Sequence, residues 1–119
     1  MINVIIDRRK QDGRIISFRV SGHAGYAEPG KDLVCAGVST VTVGTVNAIE
    51  VLLRIELPAR VESGLLEASI PDIADEATGE RVQLLLESMI VMLRSIQEAY
   101  GDVGKFIRIQ ERANRSSTI

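Results

Sequence analysis

Apolar and polar positions change period along this chain, and each change marks an element. Residues 2–7 (Ile-Asn-Val-Ile-Ile-Asp) and 14–20 (Arg-Ile-Ile-Ser-Phe-Arg-Val) are β-branched and roughly alternating, with the turn sequence Gln11-Asp12-Gly13 between them. They predict a hairpin. Residues 21–32 carry three glycines and a proline and read as a loop, with Asp32 placed to cap the next element. Residues 33–54 are rich in Val and Thr, which propensity alone would assign to a strand. Periodicity decides otherwise. Val34, Val38, Val41, Thr45, Ile49 and Leu52 recur at spacings of three and four, beside a second row of small residues, Ala36, Thr40, Gly44 and Ala48. This pattern predicts one buried helix that allows close backbone approach. Its only charges, Glu50 and Arg54, lie near its C-terminal end. Most of its circumference should therefore be covered, by layers on two sides or by a second subunit.

Residues 55–62 and 65–70 resemble a second hairpin around Ser63-Gly64, and Pro58 pushes its first strand towards a sheet edge. Over 76–100, Val82, Leu85, Leu86, Met89, Leu93, Ile96 and Tyr100 trace one helical face, with Gly101 suited to the C-terminal cap. Residues 105–111 read as a last strand. The order ββαββαβ predicts an α+β fold, a largely antiparallel sheet packed with two helices. One domain is expected over 1–113, followed by a polar tail over 114–119.

Composition narrows the function. With 45% hydrophobic residues among 119, the chain is too apolar for a disordered class, and only 3% are aromatic, so the core must be aliphatic. The net charge of -2 gives no global attraction to a phosphate backbone, so no direct nucleic-acid partner is expected. A lone cysteine cannot form an internal disulfide, and the N-terminus lacks the pattern of a signal peptide, which points to the cytoplasm. The apolar segments around 33–53 and 82–96 are interrupted by Asn47, Glu50, Glu87 and Arg94, so no membrane span is expected.

The one histidine, His23, and the one cysteine, Cys35, stand twelve residues apart at the two ends of the glycine-marked loop. A thiolate nucleophile is favoured by a nearby imidazole, a helix N-terminus and partial solvent access, and this loop can supply all three. Were Asp32 the cap, Cys35 would fall in the first turn, where free N–H groups stabilise a thiolate or an oxyanion. His23 can fold back beside the sulfur as general base, then as acid for the leaving amine. Asp32 can orient the imidazole, and Ser39, one turn after Cys35, can donate a hydrogen bond. Each residue also has a plainer reading: Cys35 as core, His23 as a turn residue, Asp32 as a cap, Ser39 as a helix hydroxyl, and the glycines as backbone geometry. Residues 24–31 can close over a peptide on Gly25 and Gly30, or form a rigid loop.

The ordered set Gly22-His23, Gly30, Asp32, Val34-Cys35-Ala36 and Ser39 resembles the signature of the ribosomal-processing cysteine proteases. The resemblance implies a bacterial endopeptidase that removes a short N-terminal extension from a large-subunit ribosomal protein, cutting after a hydrophobic or aromatic pair. It implies Cys35 as nucleophile and His23 as general base and acid, with Gly22, Gly30, Asp32 and Ser39 in supporting or substrate-binding positions. It also implies a homodimer and no cofactor.

Three rivals remain at this level. A metal site would have to use His23, Cys35, Asp32 and Glu28 without paired ligand spacing, and is not expected. A ribosome- or RNA-associated binding module would use Arg108, Arg112 and Arg115 as a basic strip. A thiol redox sensor would need a resolving thiol from another molecule.

Overall fold

The computed structural model describes residues 1–22, 31–99 and 106–114. In chain order the elements are β1 (Ile2–Arg9), β2 (Ile15–Ser21), α1 (Lys31–Leu53), β3 (Ala59–Glu62), β4 (Leu65–Ser69), α2 (Glu76–Ala99) and β5 (Ile107–Asn114). The five strands form one sheet in the order β3-β4-β2-β1-β5. Every contact is antiparallel except that of β5 with β1. The predicted α+β order and largely antiparallel sheet are both present.

Alternation along the strands produces two unlike faces. Ile2, Val4 and Ile6 of β1, Phe18 of β2, Leu66 and Ala68 of β4 and Ile107 of β5 are buried and face the helices. The opposite face carries Asp7, Ser17, Arg19, Glu67, Ser69 and Arg112 around an open depression of about 580 Å³. There Asp7 accepts a hydrogen bond from Ser17 Oγ at 3.1 Å and one from Arg112 Nε at 2.9 Å.

The first turn forms as its sequence predicts. Gly13 has φ 76, and the Arg14 N–H donates to Asp12 Oδ1 at 3.0 Å. The Arg9 guanidinium first, then that N–H, hold Asp12 down to about 2. Beyond the turn the register shifts: Asp7 faces Ser17 while Arg8 faces Ile15, leaving Ile16 as a bulge. The side-chain amide of Gln83 on α2 serves the backbone beside this bulge. It accepts from the Ile15 N–H and donates to the Ile15 C=O, both at 2.8 Å.

Ion pairs tie α2 to β1 and β5. The Arg8 guanidinium donates to both Glu87 oxygens at 2.7 and 2.8 Å and to Glu111 at 2.8 Å, and Arg94 donates to Glu111 at 2.5 Å. Arg94 first, then Arg8, hold the Glu111 carboxyl below its ordinary range. Asp75 caps α2 by accepting from the Thr78 N–H at 3.0 Å. The buried face of α2 is Gly79, Val82, Leu86, Met89, Ile90 and Leu93, with Leu85 and Ile96 partly buried against it; Tyr100 and Gly101 lie outside the described residues.

α1 departs from its prediction. Its buried stripe is Val34, Val38, Thr42, Thr45 and Ile49, while Leu52 is exposed and Leu53 packs in its place. Thr42 tolerates burial because its hydroxyl donates to the Val38 C=O at 2.8 Å. The close approach to α2 falls at Gly37, against Ile96, whereas Gly44 in the small-residue row has no neighbour within 4 Å of an added Cβ. Among the described residues α1 is covered on one side only. Residues Leu33–Leu53 are, by length and composition, apolar enough to cross a membrane, contrary to the expected interruption by Asn47 and Glu50. A helix seated on a domain core meets the same criterion, and the buried stripe seats α1 on the sheet. The helix ends at Arg54, which adopts φ 58 as its N–H bonds the Glu50 C=O at 3.0 Å.

The second hairpin is shorter than predicted on its first strand, since residues 55–58 precede β3, but β3 is at the sheet edge as Pro58 requires. The last strand runs on to Asn114, into the segment expected to be tail.

At the end of β2, Gly22 takes φ 111 and donates its N–H to the Gly64 C=O at 3.0 Å. A Cβ there would overlap the Met1 carbonyl oxygen. Both the dihedral and the space therefore require glycine.

Two stability outcomes follow in chemical denaturation. Gln83→Ala leaves Ile15's N–H and C=O without their partner and costs about 2 kcal/mol. Gly22→Ala costs about 2 kcal/mol or more, because strain at positive φ adds to the overlap with Met1.

Candidate active site

Cys35 is the fifth residue of α1. α1 runs from Lys31, so Asp32 lies inside the helix rather than at its cap, and Gly30 lies outside the described residues. Cys35 opens the second turn, about 6 Å along the axis from the helix start. A helical side chain leans back towards the N-terminus, which returns the thiol part of the way to the free N–H groups.

The thiol-bearing residue is half-buried and packs against the core at the end of the sheet. It lines a cavity of about 130 Å³ whose walls include Gly22, Ser39, Val43, Val61 and Glu62. Gly22 belongs to β2's exit, Ser39 and Val43 to α1, and Val61 and Glu62 to the β3–β4 hairpin. Of the predicted site residues, the structure thus brings Gly22, Cys35 and Ser39 to one place. Ser39 is exposed and faces the cavity one turn beyond Cys35. His23 and Gly30 lie outside the described residues, and so does the loop between them.

The position of Gly22 is chemically informative all the same. Its backbone is fixed by Gly64 and by the close Met1 carbonyl, and it lines the cavity directly before His23 in the chain. The glycine predicted as a motif position is the geometric hinge between sheet and site. The end of β2 and the start of α1 together supply a partly accessible thiol, a helix start for stabilising an anion, and an apolar recess for part of a ligand.

The hairpin wall was not among the sequence candidates. Val61 and Glu62 reach the cavity only because β4 pairs with β2 and carries β3 with it. Their one local sign is the alternation of Ala59 and Val61 with Arg60 and Glu62. The basic strip of the RNA-binding rival is divided: Arg112 is paired with Asp7, Arg108 is exposed, and Arg115 lies outside the described residues.

Comparison with known proteins agrees with this geometry. The family model described as cysteine protease Prp matches residues 1–105. The ribosomal processing cysteine protease Prp of Bacillus subtilis (strain 168) is 43% identical over 97 residues, covering 80% of this chain and 87% of that protein. The crystal structure of the S. aureus ribosomal processing protease Prp with a substrate peptide superposes with a TM-score of 0.78 at 30% identity, covering 94% of this chain and all of that one. A second S. aureus structure, with a covalently linked product peptide, gives 0.77 at 32% identity over 94% of this chain and 100% of that one. With the thiol at the head of α1 and a match over nearly its whole length, this chain belongs to the Prp family of ribosomal-processing cysteine proteases.

Proposed function

We propose that Cys35 and His23 are the catalytic dyad of an endopeptidase that removes the N-terminal extension of a large-subunit ribosomal protein in the cytoplasm, acting as a homodimer. The observation that carries the dyad is the shared cavity: Cys35 lines it, and so does Gly22, the residue joined directly to His23.

In the proposed reaction His23 accepts the thiol proton, and the Cys35 sulfur forms a bond to the scissile carbonyl carbon. Backbone N–H groups at the start of α1 stabilise the oxyanion. The C–N bond then breaks, with the proton passing from His23 to the leaving amine and the N-terminal fragment held as a thioester. Water, deprotonated by His23, releases that fragment and restores the thiol. The relative captured with a covalently linked product peptide supports a covalent step of this kind. Gly22, Gly30, Asp32 and Ser39 support the pair or the substrate backbone.

The homodimer reading rests on the uncovered side of the helices. Val51 and Leu52 of α1 and Leu84, Val91 and Met92 of α2 are exposed, and an apolar groove of about 260 Å³ between the helices is lined by Val41, Gly44, Ala48, Leu85 and Met92. Such a surface is costly to leave in water.

Incubation with the same organism's extended ribosomal protein, read by mass spectrometry, should give one cut near its N-terminus. Cys35→Ala and His23→Ala should each lower kcat by at least about a thousandfold with the fold retained. Cleavage persisting in both variants would remove the dyad. Light scattering at micromolar concentration should return twice the chain mass, and a single-chain mass would remove the homodimer.

A further inference from the structure

The β3 edge lies beside the cavity that holds Cys35, and its backbone is presented outward. In the β3–β4 ladder the register is Ala59↔Ala68, Arg60↔Glu67, Val61↔Leu66 and Glu62↔Leu65. The Ser69 N–H donates to the Pro58 C=O at 3.0 Å, which sets the phase of the antiparallel pairs. Arg60 and Glu62 therefore bond to β4, and the N–H and C=O groups of Ala59 and Val61 point the other way. Among the described residues, no strand pairs with that outer edge.

The side chains favour occupancy as well. Val61 is 67% exposed although its paired residue, Leu66, is buried in the core. An exposed β-branched residue on a sheet edge invites another strand. Across the cavity stands Val43 of α1, and Val61 and Val43 line the same recess as Cys35. A chain laid along β3 would direct every second side chain towards α1, on the side where the thiol lies. Arg60 lines the depression on the opposite face of the sheet, while Glu62 borders the recess at the end of β3.

We infer that an extended segment of the peptide substrate docks as an added strand on the outer edge of β3, held by the backbone groups of Ala59 and Val61 and continuous with the Cys35 cavity. This inference rests on the proposed peptidase reading and adds to it a strand edge that holds the substrate backbone outside the Cys35 cavity. Recognition of this kind is insensitive to side-chain identity along the docked stretch, with selectivity left to the residues that enter the recess.

The test uses a synthetic peptide spanning the N-terminal extension of the ribosomal protein and the residues just beyond it. Amide hydrogen exchange is measured on the Cys35→Ala protein with and without saturating peptide. The Ala59 and Val61 amides should exchange at least tenfold more slowly with peptide, while Arg60 and Glu62, already bonded to β4, change little. In parallel, wild-type enzyme is assayed on peptides N-methylated at one backbone position at a time. Methylation should lower kcat/KM at least tenfold at alternate positions within the docked stretch. If the peptide is cut while both amides keep their free rates and methylation is tolerated everywhere, the added strand is overturned and the peptidase reading stands. If the peptide protects both amides yet wild-type enzyme never cuts it, the docking edge stands and the assigned chemistry falls.

Discussion

Among the described residues only one face of the five-stranded sheet is covered, and the two helices that cover it must be held by different means. Burial of Ile2, Val4, Ile6, Phe18, Leu66 and Ile107 against α1 and α2 supplies the non-directional part of the attraction. It does not fix where along the sheet each helix sits. For α2 that is set by directional contacts: Gln83 clamps the bulged backbone at Ile15, and Arg8, Glu87, Arg94 and Glu111 link the helix to both β1 and β5. α1 has no comparable set among the described residues, and its seat depends on a stripe of Val, Thr and Ile with Gly37 against Ile96. The thiol is thus carried by the helix that packs by shape, while the charged helix fixes the frame.

The fold was readable where a single face decided burial. α2 alternates charged and apolar residues at helical spacing, so its face can be traced directly, and of its buried residues the stripe lacks Ile90, at its flank, and Gly79, which has no side chain to mark it. α1 has few charges to mark an outside. Its small and β-branched residues look alike on every side, so periodicity alone points Leu52 inward and does not single out Thr42. The bulge at Ile16 could not be seen locally, since it depends on which residue of β1 stands opposite.

The candidate site divides in the same way. Gly22, Cys35 and Ser39 belong to a short stretch whose spacing carries chemistry, and the structure gathers them around one cavity. Val43, Val61 and Glu62 complete its walls, but their part depends on sheet order, with β4 lying beside β2 rather than beside β1. No pattern within the hairpin itself announces which neighbour it will take. Asp32 shows the opposite limit: the right residue type for a helix start, but already inside α1.

The parallel pairing of β5 with β1 has a kinetic side. The two strands are joined in register from Ile2↔Ile107 to Arg9↔Asn114, so their contact closes a loop of nearly the whole domain. Contacts of such sequence separation form late and slowly, because most of the loop entropy must be lost before they contribute. On a growing chain the β1–β2 hairpin, α1, the β3–β4 hairpin and α2 can all assemble while the far side of β1 stays open. Glu111 arrives with β5, and only then can the ion pairs from Arg8 and Arg94 form together. During synthesis, completion of the sheet and the link from α2 to β5 are therefore one event.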